Sequence, residues 1–204
     1  MVRHGSTQLN AGDPSDPTAY FRGWTDAPMS PHGHAVTEQT AGYFKDKKVG
    51  HIVTSDLPRA VETAAKIHQA TGAPVTADPR LRPWNVGQMT GQKITPALLK
   101  LSEDLQKKRP NEPAPGGESY NDFLKRYAGG LKDLLHRAST DTVVAVAHHR
   151  NAMALDSLLY GKKTRSKGPP EPGEAVQVTP QGAKRAFLPP KQRGKKESAP
   201  NATS

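Results

Sequence analysis

The sequence predicts an α/β fold: a three-layer sandwich with helices on both faces of a mostly parallel central sheet. Two segments carry this expectation. Residues 142–148 read TVVAVAH, a β-branched, almost wholly apolar run that suits a strand buried on both faces. Residues 51–55 read HIVTS and lead directly into a helical pattern, PRAVETAAKIHQAT. Strands alternating with helices imply parallel strands joined by helical crossovers.

The elements follow in order. Ser30-Pro31 is an N-cap and first-turn pair for a helix running to about Lys45. The helix after HIVTS is ended by Gly72, and APVTA follows as a second strand candidate. Leu98–Lys108 is another helix. Leu124, Tyr127, Leu131, Leu134 and Leu135 recur at helical spacing and form one apolar stripe just ahead of TVVAVAH. Asn151–Tyr160 reads as the helix following that strand. EAVQVTP and AKRAFLP, parted by Gln181-Gly182, suggest a terminal hairpin. Residues 162–173 read as a solvated loop. The domain is expected to span residues 1–188, and the Pro, Lys, Ser and Asn of 189–204 form a basic disordered tail.

Composition narrows the class. Of 204 residues only 34% are hydrophobic, and the net charge of +10 is uneven. From Gly161 onward there are ten Lys and Arg against three Glu, whereas the first 160 residues hold nineteen bases and sixteen acids. The basic run KQRGKK lacks interleaved aromatics, so it points to a solvated tail rather than to nucleic acid. With no cysteine, disulfides, thiolate metal sites and cysteine nucleophiles are excluded. No apolar run is long enough for a membrane span, and the start lacks a signal-peptide pattern. A soluble cytoplasmic protein is the expectation.

Chemistry gathers where strands end. Arg3-His4-Gly5 runs into a polar loop at the tip of a strand, and open α/β sheets place ligands at the carboxyl ends of strands. HIVTS ends at Asp56-Leu57-Pro58-Arg59, which puts a basic residue in the first turn of a helix, where the dipole disfavours it. TVVAVA ends in His148-His149-Arg150. Three strand ends thus supply histidines and arginines together. His32 and His34 flank Gly33 without an acidic partner at suitable spacing, so no metal site is read there. Trp84 is read as a packing residue.

These segments resemble the histidine phosphatase superfamily, which includes the cofactor-dependent phosphoglycerate mutases. MVRHGSTQLN is similar to its opening signature and FRGWTDAPMSPHG to the following loop and helix start. SDLPRAVETA is similar to its second-arginine motif, GGESYNDFLKR to its Gly-Glu-Ser segment, and VAVAHH to the strand ending in its second histidine. The likeness covers about residues 1 to 160. It implies a phosphoglycerate mutase-like fold and a phosphatase that hydrolyses phosphate monoesters through a phosphohistidine on His4. Arg3, Arg59 and His148 would clamp the phosphoryl group, and Asn10, Arg22, Gly23, His149 and Glu118 would line the substrate site. No metal or other cofactor is implied, because the arginines neutralise the phosphate. The partner would be a small phosphorylated substrate or a phosphoprotein, with no membrane.

Two features depart from the family pattern. The stretch Leu81-Arg82-Pro83-Trp84-Asn85-Val86-Gly87 keeps the family framework but carries Pro83 where the family's acid, a glutamate, is usual. His149 and Glu118 are the substitute proton donors to consider, or else a substrate whose leaving group needs little help. The first strand shows only Met1 and Val2 ahead of Arg3-His4, so either the chain starts further upstream or the sheet manages with a stub. Alternatives to the phosphatase are a mutase-type phosphotransferase and a non-catalytic member that binds phosphorylated ligands.

Overall fold

The computed structural model describes residues 1–9, 20–160, 170–179 and 182–190. Asn10, most of the 162–173 loop, Gln181 and residues 191–204 of the tail lie outside the described residues. Six strands form one sheet: β1 (Val2–Arg3), β2 (His51–Thr54), β3 (Val75–Ala77), β4 (Val143–Ala147), β5 (Ala175–Thr179) and β6 (Gly182–Phe187). Their order is β3-β2-β4-β1-β5-β6. The β3, β2, β4, β1 portion is parallel, whereas β5 runs antiparallel to both β1 and β6. The sheet is therefore mixed, and its antiparallel edge is the hairpin expected from EAVQVTP and AKRAFLP.

Five helices cover the sheet: α1 (Pro31–Phe44), α2 (Pro58–Thr71), α3 (Pro96–Lys107), α4 (Tyr120–Ala138) and α5 (His149–Tyr160). The first three begin on proline, whose fixed φ suits a first turn and whose missing N–H would have found no helical partner. Ser30, Thr95 and Ser119 cap α1, α3 and α4 by accepting from the amides of Gly33, Leu98 and Asp122. The Thr95-Pro96 start explains why α3 opens two residues before Leu98, where its apolar spacing becomes visible.

Alternate strand residues feed two cores. Val2, Ile52, Val144 and Val146 pack with Phe44, Ala60, Ala64 and Ile67 of α1 and α2. On the other face Val53 joins Leu105, Phe123, Tyr127, Leu134 and Ala154 of α3, α4 and α5, with Val143 and Ala145 packed against them. Trp84 belongs to this second core and is 1% exposed, in keeping with a packing role. A cavity of about 550 Å³ opens beside Met1 between Val143–Ala145 and Val176–Val178. It lies at the amino end of β4, away from the strand ends that carry the histidines.

Candidate active site

In the parallel register of β1 and β4, Arg3 lies opposite Ala147, so the next residue of each strand, His4 and His148, emerges side by side. Their ring centroids are 4.9 Å apart, with the planes tilted by 58°. On the other flank of β4, β2 turns through Ser55, Asp56 and Leu57 into α2, whose second residue is Arg59. His4, His148 and Arg59 are all at most 2% exposed, and Arg3 is 7% exposed. Topology alone thus gathers Arg3, His4, Arg59 and His148 from three separate stretches of chain.

The His4 ring is held in a defined tautomer. Its Nδ1 lies 2.6 Å from the carbonyl oxygen of Gly5, an acceptor, so Nδ1 carries the proton and Nε2 keeps its lone pair. The Gly5 amide donates to Thr63 Oγ1 at 3.1 Å, and that hydroxyl donates to the Arg59 carbonyl, which ties the Arg-His-Gly turn to α2. Gly5 admits no side chain: a Cβ there would meet Thr37 Oγ1 at 2.5 Å and the Gly33 carbonyl oxygen at 2.8 Å. The glycine of the motif lets helix α1 approach the strand tip.

Electrostatics keep both rings neutral. Burial pushes the pKa of His4 well below the usual histidine range, and His148, Arg59, Arg22 and Arg3 add to the effect. His148 is lowered in the same way by burial, Arg59, Arg22 and Arg3. Burial lowers Arg3, Arg22 and Arg59 to about 10, which leaves each of them cationic near neutrality. Three positive charges therefore act on two uncharged imidazoles. The Nε atoms of Arg3 and Arg59 and both ring nitrogens of His148 are buried without a hydrogen-bond partner among the described residues.

The loop carrying Arg22 and Gly23 is pinned to this centre. Arg59 donates to the carbonyls of Thr25 at 2.7 Å and Gly23 at 3.0 Å. Gly23 has φ 43°, in the left-handed region that favours glycine. Trp24 Nε1 donates to the Pro83 carbonyl at 2.8 Å, and the Arg82 guanidinium sits 4.6 Å over the Trp24 ring.

The two substitute proton donors fare differently from what the sequence suggested. His149 stands at the start of α5, where burial, then Arg3, Arg150 and Arg22, lower its pKa to about 3. These surroundings disfavour an imidazolium at His149, which weighs against its reading as a surrogate acid. Glu118 is occupied: its Oε1 accepts from Arg126 at 2.6 Å and from the Asn85 amide at 2.9 Å. Arg150 turns away toward α3, donating to Gln106 Oε1 and Ser102 Oγ.

Sequence reasoning missed Arg126. Its guanidinium donates to the carbonyls of Arg80, Arg82 and Pro83 as well as to Glu118, and its charge acts on His148. The signal was its place three residues after Phe123 and one before Tyr127, on the flank of the buried stripe of α4.

The family profile described as histidine phosphatase superfamily (branch 1) matches residues 1–167. The chain belongs to the histidine phosphatase superfamily. It is 31% identical over 165 residues to a protein of Escherichia fergusonii named "Probable phosphoglycerate mutase GpmB", covering 79% of this chain and 74% of that one. The fold superposes on a phosphoglycerate mutase from Thermus thermophilus with a TM-score of 0.68 and 27% identity, covering 92% of this chain and 96% of that one. A mycobacterial glucosyl-3-phosphoglycerate phosphatase solved with VO3 gives a TM-score of 0.67 at 27% identity, covering 88% of this chain and 90% of that one. No helix among the described residues is long and apolar enough to cross a membrane.

Proposed function

We propose that this protein is a phosphatase that hydrolyses phosphate monoesters through a phosphohistidine on His4. The observation that carries this reading is a buried His4 whose Nδ1 is engaged by the Gly5 carbonyl and whose protonated form is disfavoured, set against His148 and under the charges of Arg3, Arg22 and Arg59. In the first step the Nε2 lone pair forms an N–P bond while the P–O bond to the leaving group breaks and its electrons leave with that oxygen. In the second step water attacks phosphorus, the N–P bond breaks, and its electrons return to Nε2 as inorganic phosphate departs. Charge on the three equatorial oxygens is offset by the arginines and by a ring N–H of His148, donors already in place before reaction. Buried donors that have no partner among the described residues, Arg3 Nε, Arg59 Nε and a His148 ring nitrogen, suit phosphate oxygens. Arg22 and His149 join the proposal through the charge of Arg22 on His4 and of Arg3 on His149, and Gly23 through its carbonyl, which accepts from Arg59. Asn10 belongs to the proposal through the motif it shares with the family, and Glu118 acts by holding the rim. The substrate is a small phosphorylated molecule or a phosphoprotein.

A second reading, transfer of the phosphoryl group to another hydroxyl instead of water, draws on the relatives named as mutases. Phosphate release from a panel of phosphate esters, measured for the wild type beside His4→Ala, separates the readings. Hydrolysis by wild type, an acid-labile phosphoenzyme, and loss of both in His4→Ala are expected. Full activity in His4→Ala would overturn the assignment. Arg59→Ala and His148→Ala should each lower kcat/KM by about a hundredfold or more, the loss typical of a transition-state charge contact.

A further inference from the structure

Glu174 is 0% exposed, and the two-step transfer gives its carboxylate no part. It stands one residue ahead of β5, whose antiparallel register with β1 sets Ala175 opposite Val2 and so brings Glu174 beside Arg3. A carboxylate enters the interior at a high desolvation cost unless it is paired, and this one is paired twice. Its Oε2 accepts from the Glu171 amide at 2.7 Å, and its Oε1 lies 2.8 Å from Arg185 Nε on β6. The first bond folds the turn Glu171-Pro172-Gly173-Glu174 back on itself, and the second fastens it to the sheet edge.

The closed turn holds Arg3 at three points. The Arg3 amide donates to the Glu174 carbonyl at 3.1 Å, and the Arg3 carbonyl accepts from the Gly173 amide at 2.9 Å. The side chain is held as well, with Arg3 Nη1 donating to the Pro170 carbonyl at 2.7 Å. Helix α1 backs the turn: Thr40 Oγ1 donates to the Gly173 carbonyl at 2.8 Å, and a Cβ on Gly173, whose φ is 77°, would meet Val36 Cγ1 at 2.4 Å. We propose that Glu174 is a positioning residue that acts through Arg3: it keeps the 170–174 turn closed, and the turn aims the Arg3 guanidinium at the phosphoryl oxygens. This rests on the phosphatase reading and deepens it. An arginine side chain has many rotamers to lose, and a donor stabilises developing charge best when it is already in place. A misplacement of about 1 Å at such a contact costs about a hundredfold in rate.

The test is a double-mutant cycle of Glu174→Ala with Arg3→Ala, read as kcat/KM on nitrophenyl phosphate and as affinity for inorganic phosphate by calorimetry, with His4→Ala alongside. Glu174→Ala should lower kcat/KM by about ten- to a hundredfold and weaken phosphate binding in the same direction. In the Arg3→Ala background the same change should cost no more than about twofold, because the group it serves is gone. Where Arg3→Ala turns over too slowly to measure, phosphate affinity closes the cycle. Glu174→Gln keeps the side-chain size and an oxygen for the Glu171 amide; it should recover part of the loss, and it carries the cycle if the alanine variant does not fold. Equal losses in both backgrounds, or a loss within about twofold in the wild type, overturn the proposal and leave the phosphatase reading intact, provided that His4→Ala is inactive. Turnover that persists in His4→Ala defeats the phosphatase reading and the proposal with it.

Discussion

At the scale of single residues, the site works by contrast between fixed positive charge and neutral imidazole. His4 and His148 are at most 2% exposed beneath Arg3, Arg22 and Arg59, and each ingredient disfavours a protonated ring. An unperturbed histidine titrates near pH 6.5. The ring-proton resonances of His4 and His148 should therefore stay flat through that value, while an exposed histidine in the same spectrum should titrate. A sigmoid near pH 6.5 for His4 would mean that the ring is hydrated or that an arginine lies elsewhere. These two histidines were legible in the sequence because a reactive residue at a strand end is chemically conspicuous. Arg22 was legible only through family likeness, since nothing in its local pattern says that its charge reaches His4. Arg126 was not legible as part of the site, because a basic residue on a helix is ordinarily solvated and most of its acceptors come from segments far away in sequence.

At the scale of elements, the start of α1 was readable because Ser30-Pro31 encodes a cap and a first turn locally, whereas Thr95-Pro96, which does the same for α3, went unread and α5 opens at His149, two residues before the expected Asn151. The rim was not readable, because its shape comes from α4 reaching across to residues 80–83. That bridge is measurable. Arg126→Ala removes the donors to Glu118 and to four loop carbonyls, in a pair whose side chains are 21% and 18% exposed. Leaving a largely buried carboxylate unpaired costs about 3–5 kcal/mol, somewhat less here because water reaches part of it. Urea unfolding should show a loss of about 2–4 kcal/mol. Arg126→Lys should recover little of it, since a single ammonium cannot span the fork of acceptors. A loss below about 0.5 kcal/mol, the range of ordinary surface changes, would mean that the loop holds itself.

At the scale of the whole molecule, the alternating pattern announced a layered α/β fold, but the placement of β1 between β4 and β5 depends on pairings across most of the chain and has no local signature. That placement is what buries His4 and His148, and it gives the fold a pH response. Above about pH 6.5 both rings are neutral whether the chain is folded or not, so they contribute no pH dependence. Below it the unfolded chain takes up protons that the folded chain, with both pKa values well below the usual range, does not. The unfolded state then binds more protons, so stability falls as pH drops. Each such histidine costs up to about 1.4 kcal/mol per pH unit once well below its ordinary pKa, and with His149, lowered to about 3, the three together lower stability by up to about 6 kcal/mol between pH 7 and pH 5. That is a large share of the roughly 5–15 kcal/mol typical of a domain. Carboxylates such as Asp56, whose pKa is also lowered, respond only nearer their own ordinary range; the terminal amine, lowered by burial to about 6, shares the upper part of the interval from about pH 6.5 to 5, and Glu174, raised by burial, opposes the histidines at its lower end. Urea midpoints measured across that interval should decline steadily, and His148→Gln should flatten the slope by removing one of the three protonations, His149 being lowered as well. A midpoint unchanged from about pH 7 to pH 5 would show that the rings take up protons in the folded state, and the neutral His4 on which the nucleophile depends would be lost with it.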